Sequence, residues 1–405
     1  MKTLKHYRQH MSGNVMSDLM IDSIILTLPD ADKIIWEPER FTPSLEGIRR
    51  KAEGNFGARL FTRHTLNIPA KNGYYPNLTV TPRWQRGKGL QVPLRIQFSA
   101  PKLIYGNNVD ELTDDDFPKV VEALQNKLKL LGVRLFVHQL EEAPTSAVHY
   151  SKNFVLRNHY TASSAINILS KLDVTKKLEI NKRHFQNKGH ALYFDCGQYQ
   201  IVFYDKMQDI TKSKRQAVDK EKTLDQLRLF NSLKGENKQL EILRMEVRIT
   251  TKRKLNSLFG KMGYCLYPTF RDVFSKEKSQ RFLQDYWNLI QEQGKFLLKV
   301  SDNKPLDMVI KYQQNNGRKL PSLETLALAH TLAYTQDNGL RELRKAFTSL
   351  YTDRTWFRFK KHLKTVENIT NNQPRYQFVD DIENTLSAYQ PFKTNKNPID
   401  ILKYN

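Results

Sequence analysis

The stretch "EILRMEVRIT", residues 241–250, alternates without a break: Leu243, Met245, Val247 and Ile249 fall on one side, Arg244, Glu246 and Arg248 on the other. A side-chain period of two is that of a strand, and an apolar comb opposite a charged one calls for a sheet with one buried face. Wound as a helix, the same residues would scatter arginine and methionine around the whole circumference. The chain is therefore expected to build an antiparallel sheet whose second face carries charge. Arg-Glu-Arg has two readings at this point. One is a surface ion-pair row; the other is an anion-binding face with a carboxylate for a hard cation.

Other stretches repeat the alternation. In "LQVPLRIQFS", Leu94, Ile96 and Phe98 oppose Arg95, Gln97 and Ser99, and the glycines of "QRGKG" suit a hairpin back to "PNLTVTPRW". "AVHYSKNFVL" (147–156) reads as a strand, and "HALYFDCGQYQIVFYDKM" as two strands around Gly197. Before these, "TDDDFPKVVEALQNKLKLLGV" reads as a helix, with acidic residues before it, an apolar stripe at Val120, Val121, Leu124, Leu128 and Leu131, and Gly132 as its stop. A second helix through "AINILSKL" is opened by Ser163 or Ser164. Residues 208–240 are rich in Lys, Glu, Gln and Asp and read as a polar excursion or helical hairpin with too few apolar residues for a core element. After Cys265 the patterning turns helical. The expectation is α+β: residues 1–19 a polar extension, 20–265 a palm-like antiparallel-sheet domain, and 266–405 a mostly helical region.

The charge balance narrows the partner. Lys and Arg number 65 against 42 Asp and Glu, a formal net charge of +23. A polyanion is expected, because each cation that neutralises a phosphate releases counterions. Two cysteines, Cys196 and Cys265, make no disulfide framework and no Cys-rich zinc site. No apolar run approaches the ~18 residues that span a bilayer, and residues 1–20 lack the apolar core of a signal peptide, so a soluble protein of a reducing cytoplasm is expected. There is no G-x-x-x-x-G-K-[ST] loop for ATP-driven unwinding, and no H-E-x-x-H, G-x-S-x-G or zinc-deaminase motif.

Three sets of residues are candidates for chemistry. In "YQIVFYDKM", read as strand to its end, Tyr204 and Lys206 share a face. A phenol is a poor nucleophile at neutral pH unless a cation or base helps it, so the pair is either a nucleophile with its charge partner or a strand tyrosine beside a snorkelling lysine. His149 shares a face with Ser151 and Asn153, and is either a satisfied structural imidazole or, together with Glu246, half of a metal site. Towards the C-terminus, "LRELRKAF", "TSLYT" and "DRTWFRFKKHLK" have the proportions of a helix-turn-helix. Thr352 or Asp353 would cap its second helix, which carries Arg354, Arg358, Lys360, Lys361 and Lys364 outward and Trp356, Phe359 and Leu363 inward. Such a helix fits a major groove, and an ordinary basic bundle helix explains the pattern as well.

Taken in order, "LRIQFSAPKLIYGNN", "VHYSKNF", "VFYDKM", "LRMEVRI" and "LYPTFRDVFSKEKSQ" resemble the replication initiators of the filamentous-phage gene II and gene X type and related rolling-circle plasmid replication proteins. The resemblance runs from about Met20 to about residue 290. It implies a site-specific, metal-dependent enzyme that nicks and rejoins one strand at an origin through a tyrosine, stays joined to the 5′ phosphate and leaves a 3′-OH for host polymerase, with a host helicase as further partner. Carried over, the nucleophile falls on Tyr204 and the acidic residue of the Arg-flanked strand on Glu246. An acidic position of the family falls near His149, a departure that leaves Asn153, Gln97 and Asp205 as reserve ligands for Mg2+ or Mn2+. Lys206 would assist Tyr204, and Arg244, Arg248, Arg354, Arg358, Lys360 and Lys361 would meet DNA. The substrate implied is a hairpin or melted origin segment, and 21 Phe and 18 Tyr offer stacking surfaces for its bases.

Two other functions fit part of this pattern. A conjugative or mobilisation relaxase uses the same chemistry but commonly carries the His clusters this chain lacks. A non-catalytic origin-binding protein or repressor would need only the basic helices.

Overall fold

The computed structural model describes residues 18–19, 21–57, 60–66, 73–158, 160–174, 178–184, 189–213, 215–236, 240–300, 304–317 and 319–394. The expected extension over 1–19 lies outside them except for Asp18 and Leu19.

Alternation becomes one ten-stranded antiparallel sheet. Its strands in chain order are β1 (Ile21–Leu28), β2 (Phe41–Thr42), β3 (Thr62–His64), β4 (Asn77–Val80), β5 (Leu94–Ser99), β6 (Thr145–Val155), β7 (Glu179–His184), β8 (Gly189–Cys196), β9 (Tyr199–Asp205) and β10 (Ile242–Ile249). They lie side by side as β7-β8-β9-β10-β6-β1-β5-β4-β3-β2. The chain thus visits the two ends of the sheet separately, and β10, β6 and β1 join them at the centre.

One face is the core. Leu243, Met245, Val247 and Ile249 join Ile201 and Phe203, Val148 and Tyr150, and Leu94, Ile96 and Phe98 in one buried cluster. Helices close that cluster from outside. The helix α1 (Phe117–Leu130) buries Val120, Val121, Leu124 and Leu128 as its 3.6-residue spacing requires, and the chain turns at Gly132 with φ of +73°. Helix α2 (Ala162–Leu169) begins two residues earlier than expected, because the Thr161 side chain accepts from the Ser164 N–H and caps it. Helix α3 (Lys276–Gln291) lays Phe282, Tyr286 and Trp287 against Tyr150, Tyr199 and Phe203, with ring centroids 5.2, 5.3 and 6.2 Å apart. Beyond it, α4 (Pro305–Asn316), α5 (Ser322–Asn338), α6 (Leu340–Leu350), α7 (Asp353–Ile369) and α8 (Gln377–Ala388) complete the helical half expected after Cys265. The fold is α+β, as the patterning implies.

The other face of the sheet is polar, and its two ends differ. Over β8, β9, β10 and β6 it is roofed by residues 206–226, within the stretch expected to be a polar excursion. That stretch is a short helix, Lys206–Thr211, a loop, and a second helix, Leu224–Glu236. It is no free-standing excursion: Asp209, Ile210, Ala217, Val218 and Gln226 are buried in it. Apolar content underestimated this segment because polar pairs, more than hydrocarbon, fasten it. Over β5, β4 and β3 the same face is open.

Candidate active site

Tyr204 sits on the roofed part of the polar face. Strand alternation puts it there with Val202 and, across to β8, with Ala191 and Tyr193, while Val218 packs down from the roof. Its cross-strand partner on β10 is Arg244, and Val202 faces Glu246. Its side chain is 1% exposed, and the hydroxyl donates to Glu246 Oε1 at 2.6 Å.

Glu246 is the centre of the site and is itself 1% exposed. Arg248 donates twice to its Oε2, from Nε at 2.8 Å and Nη2 at 2.6 Å, and Arg244 Nε lies 3.2 Å from Oε1. Burial alone would raise this carboxyl, but the Arg248 and then the Arg244 guanidinium outweigh it and hold it down at about 2. The opposite holds for Tyr204. Burial, and then the charge of Glu246, push its phenol well above the usual tyrosine range.

Arg244 is no surface residue. It donates to Ser151 Oγ at 2.7 Å and to the Asn108 carbonyl, and pairs with Asp22 Oδ1 at 3.1 Å. Asp22 reaches it through a break in strand register. His149 pairs with Ser23 but Tyr150 pairs with Ile21, so Asp22 is the extra residue of a bulge. Bulges turn a side chain that simple alternation would send elsewhere. The Arg-Glu-Arg row, for which a surface ion-pair row is one of two readings, is thus a buried network, and in this arrangement Arg244 is enclosed rather than presented to DNA.

Lys206 departs from the expected geometry. The strand stops at Asp205, whose side chain accepts from the Gln208 N–H and caps the roof's first helix, so Lys206 starts a helix instead of continuing the strand. Its ammonium is fully buried, lies 5.8 Å from the Tyr204 ring centroid and donates to Asn108 Oδ1 at 2.8 Å. Burial, then the Arg244 charge, bring it down to about 8. Lys206 neighbours the ring and makes no hydrogen bond to the hydroxyl.

His149 faces Arg248 across β6 and β10, one step from Glu246. Burial and then the Arg248 charge lower its imidazole to about 4, so the ring is neutral at physiological pH. Of the reserve ligands, Asn153 donates to the Val109 carbonyl at 2.8 Å, and Gln97 lies two strands from His149. Asp205 points to the other face, with its Oδ2 4.0 Å from His190 Nδ1. Among the described residues no three His, Cys, Asp or Glu side chains cluster so as to hold a metal ion. Glu246 Oε2 already takes two bonds from Arg248 and Oε1 one from Tyr204. The donor set as arranged does not fit Mg2+ or Mn2+, which need free carboxylate oxygens.

Several residues escaped the sequence reading. Asn108 accepts from Lys206 and from Gln226 Nε2 at 3.0 Å through its side-chain oxygen, and its amide donates to Asp22 at 3.1 Å. Lys102 on the sheet side holds Asp219 of the roof at 2.7 and 2.9 Å, both buried. Burial would raise Asp219, but Lys102 and Lys206 hold it far below the usual carboxylate range. Of these, only Asp22, a lone carboxylate in an apolar strand, stands out in the sequence itself.

The expected basic helix forms. α7 follows α6 after Tyr351 and Thr352, with Thr352 as N-cap, Trp356 and Leu363 inward, and Arg354, Arg358, Lys360 and Lys361 exposed. Leu350, Tyr351 and Phe357 are exposed beside them.

Residues 70–261, the stretch from before β4 to the helix after β10, match the family described as the N-terminal part of a replication-associated protein, of the filamentous-phage gene II type. No curated protein and no solved structure matches the chain. No helix among the described residues is long and apolar enough to cross a membrane.

Proposed function

We propose, from the premise that residues 70–261 belong to the gene II-type replication-associated protein family, that this replication initiator cuts and rejoins one strand of its origin through Tyr204. The observation that carries the proposal is the 2.6 Å bond from the Tyr204 hydroxyl to Glu246, between two arginines, on a sheet face. Tyr150 and Tyr199 turn into the core, which leaves Tyr193 as the other tyrosine of this cluster.

In the proposed step Tyr204 Oη bonds to the scissile phosphorus as the bond to the 3′ oxygen breaks. The phosphodiester is conserved on the tyrosine, so rejoining needs no ATP. The phenol proton passes to Glu246, within the reach a general base requires. With Arg248 in place the transfer is steeply uphill, since Glu246 sits at about 2 and the phenol above its usual range; each pKa unit is ~1.4 kcal/mol. Arg248 is only partly enclosed, its side chain 16% exposed. If it turns to the incoming phosphate, it offsets charge there and releases Glu246 to become a stronger base. Lys206, weakened to about 8, is the proposed proton donor to the departing 3′ oxygen. Arg354, Arg358, Lys360 and Lys361 are proposed to hold duplex at the origin. A host polymerase would extend the freed 3′-OH as a host helicase unwinds the duplex. Mg2+ or Mn2+ remains an expectation of the resemblance.

A second reading has one observation in its favour. Tyr204 is 1% exposed, as suits an origin-binding protein without chemistry. The test is a supercoiled plasmid carrying the DNA that encodes this protein with its flanking sequence. The parent chain should give nicked circles and an SDS-resistant protein–DNA adduct, and Tyr204→Phe neither, while still binding. Adduct formation by Tyr204→Phe would remove Tyr204 from the role; absence of adduct with both chains would favour the binder.

A further inference from the structure

The open end of the polar face carries two arginines that no carboxylate among the described residues neutralises. Arg95 on β5, Thr79 on β4 and Arg63 on β3 are direct cross-strand partners and so form one row on one face. The next row pairs Gln97 with Asn77. These side chains and His64 line a half-open groove of about 370 Å³. Both arginines are exposed, and among the described residues neither has an ion-pair partner. Arg63 lies over the exposed Phe61 ring at 4.9 Å. Partial burial pulls the Arg95 guanidinium down, and no carboxylate offsets it. An unpaired cation in a groove of amide and hydroxyl donors suits an anion with several oxygens.

The groove shares its sheet face with the Tyr204 site. Ser23 faces His149 on one side and Ser99 on the other, and Ser99, Gln97 and Arg95 then step along one face of β5. At ~3.4 Å per residue, Arg95 lies about 14 Å beyond Ser99, which at the stacked spacing of ~3.4 Å is a reach of about four nucleotides. The roof ends where the groove begins: Glu221 accepts from Tyr74 at 2.8 Å and from Asn77.

We infer that Arg63 and Arg95, with Thr79 and Gln97, form a track for the backbone of single-stranded DNA beside the scissile phosphate, a site that deepens the proposed function and rests on it. The charge of the occupant follows from the two unpaired guanidiniums. Its single-strandedness follows from the concavity, since amide and hydroxyl groups recessed between strands reach one backbone more readily than a duplex cylinder.

The test uses the full chain and a fluorescein-labelled 20-nucleotide single strand of mixed sequence, beside its duplex, with anisotropy read across salt concentrations. Arg63→Gln/Arg95→Gln should weaken single-strand binding about tenfold and reduce the steepness of the log–log salt slope by about 1.4, the value for two fewer neutralised phosphates on a single strand. Duplex binding should hold. Arg63→Lys/Arg95→Lys should restore most of the slope. Unchanged single-strand binding in the Gln pair overturns the track, as does equal loss on both probes, or a Lys pair as weak as the Gln pair. None of these readouts needs nicking, so a failure here leaves the adduct test of Tyr204 standing on its own.

Discussion

The roofed and open ends of the polar face hold the same residue types in opposite states. Around Tyr204, Arg244 is enclosed and Arg248 partly so, and between them they are bound to Glu246, Asp22 and Ser151. In the groove, Arg63 and Arg95 stand exposed, with no carboxylate partner among the described residues. Strand alternation produces both arrangements equally well. The difference comes from outside the strands: the Asp22 bulge, the Asn108 turn, and the roof that Lys102 and Asp219 hold down. One end is suited to storing charge for a reaction, the other to meeting a charged partner.

The largest expected contrast is in stability. Glu246→Ala leaves the partly buried Arg248 without its carboxylate and the buried Arg244 with Asp22 alone, and should cost about 3–5 kcal/mol in urea unfolding, whereas Arg95→Ala, a surface change, should stay within about 0.5 kcal/mol. Equal effects at the two ends would erase the distinction. Asp219→Asn weakens the latch on the roof and should cost about 1–3 kcal/mol. Hydrogen exchange should then quicken across residues 206–226 with little change in β3 to β5. Uniform quickening would mean that the roof is no separate element.

The pH response sharpens the same contrast. Burial raises the Asp205 carboxyl from its unfolded value to about 7, so the unfolded chain releases this proton first as pH rises. Its contribution to stability is therefore fully present below about 4 and lost by about 7. Asp205→Asn should keep the cap on Gln208 and flatten this loss by about 2 kcal/mol, measured as Tm at pH 5 and pH 7.5. An unaltered pH profile would place the Asp205 carboxyl in water. The smallest expected effect concerns metal. Because Arg248 and Tyr204 occupy Glu246, equimolar Mn2+ added to the DNA-free protein should retain the free-ion EPR spectrum. A stoichiometric bound signal would show that the network opens without DNA.

Face assignments were legible in the sequence wherever both faces had a consistent character. Leu243 to Ile249 could pair only one way, and that fixed Arg244, Glu246 and Arg248 on a single side; the stripe of α1 was as plain. What stayed hidden depends on pairing between distant segments. Lys206 extends the alternation of β9 on paper, but Asp205 caps a helix there and turns it away. The roof looked too polar to pack because its partners, Lys102, Tyr74, Asn77 and Asn108, lie about a hundred residues or more before it. Asp22 reaches Arg244 only because β1 carries an extra residue, and no local pattern announces a bulge.

Which atom joins the DNA decides whether the enclosed network is a reaction centre. After incubation with the supercoiled plasmid, nuclease trimming and protease digestion, mass spectrometry of the nucleotide-bearing peptide should find the phosphodiester on Tyr204 within "YQIVFYDK". Linkage to Tyr193, or to any residue off this face of the sheet, would contradict it.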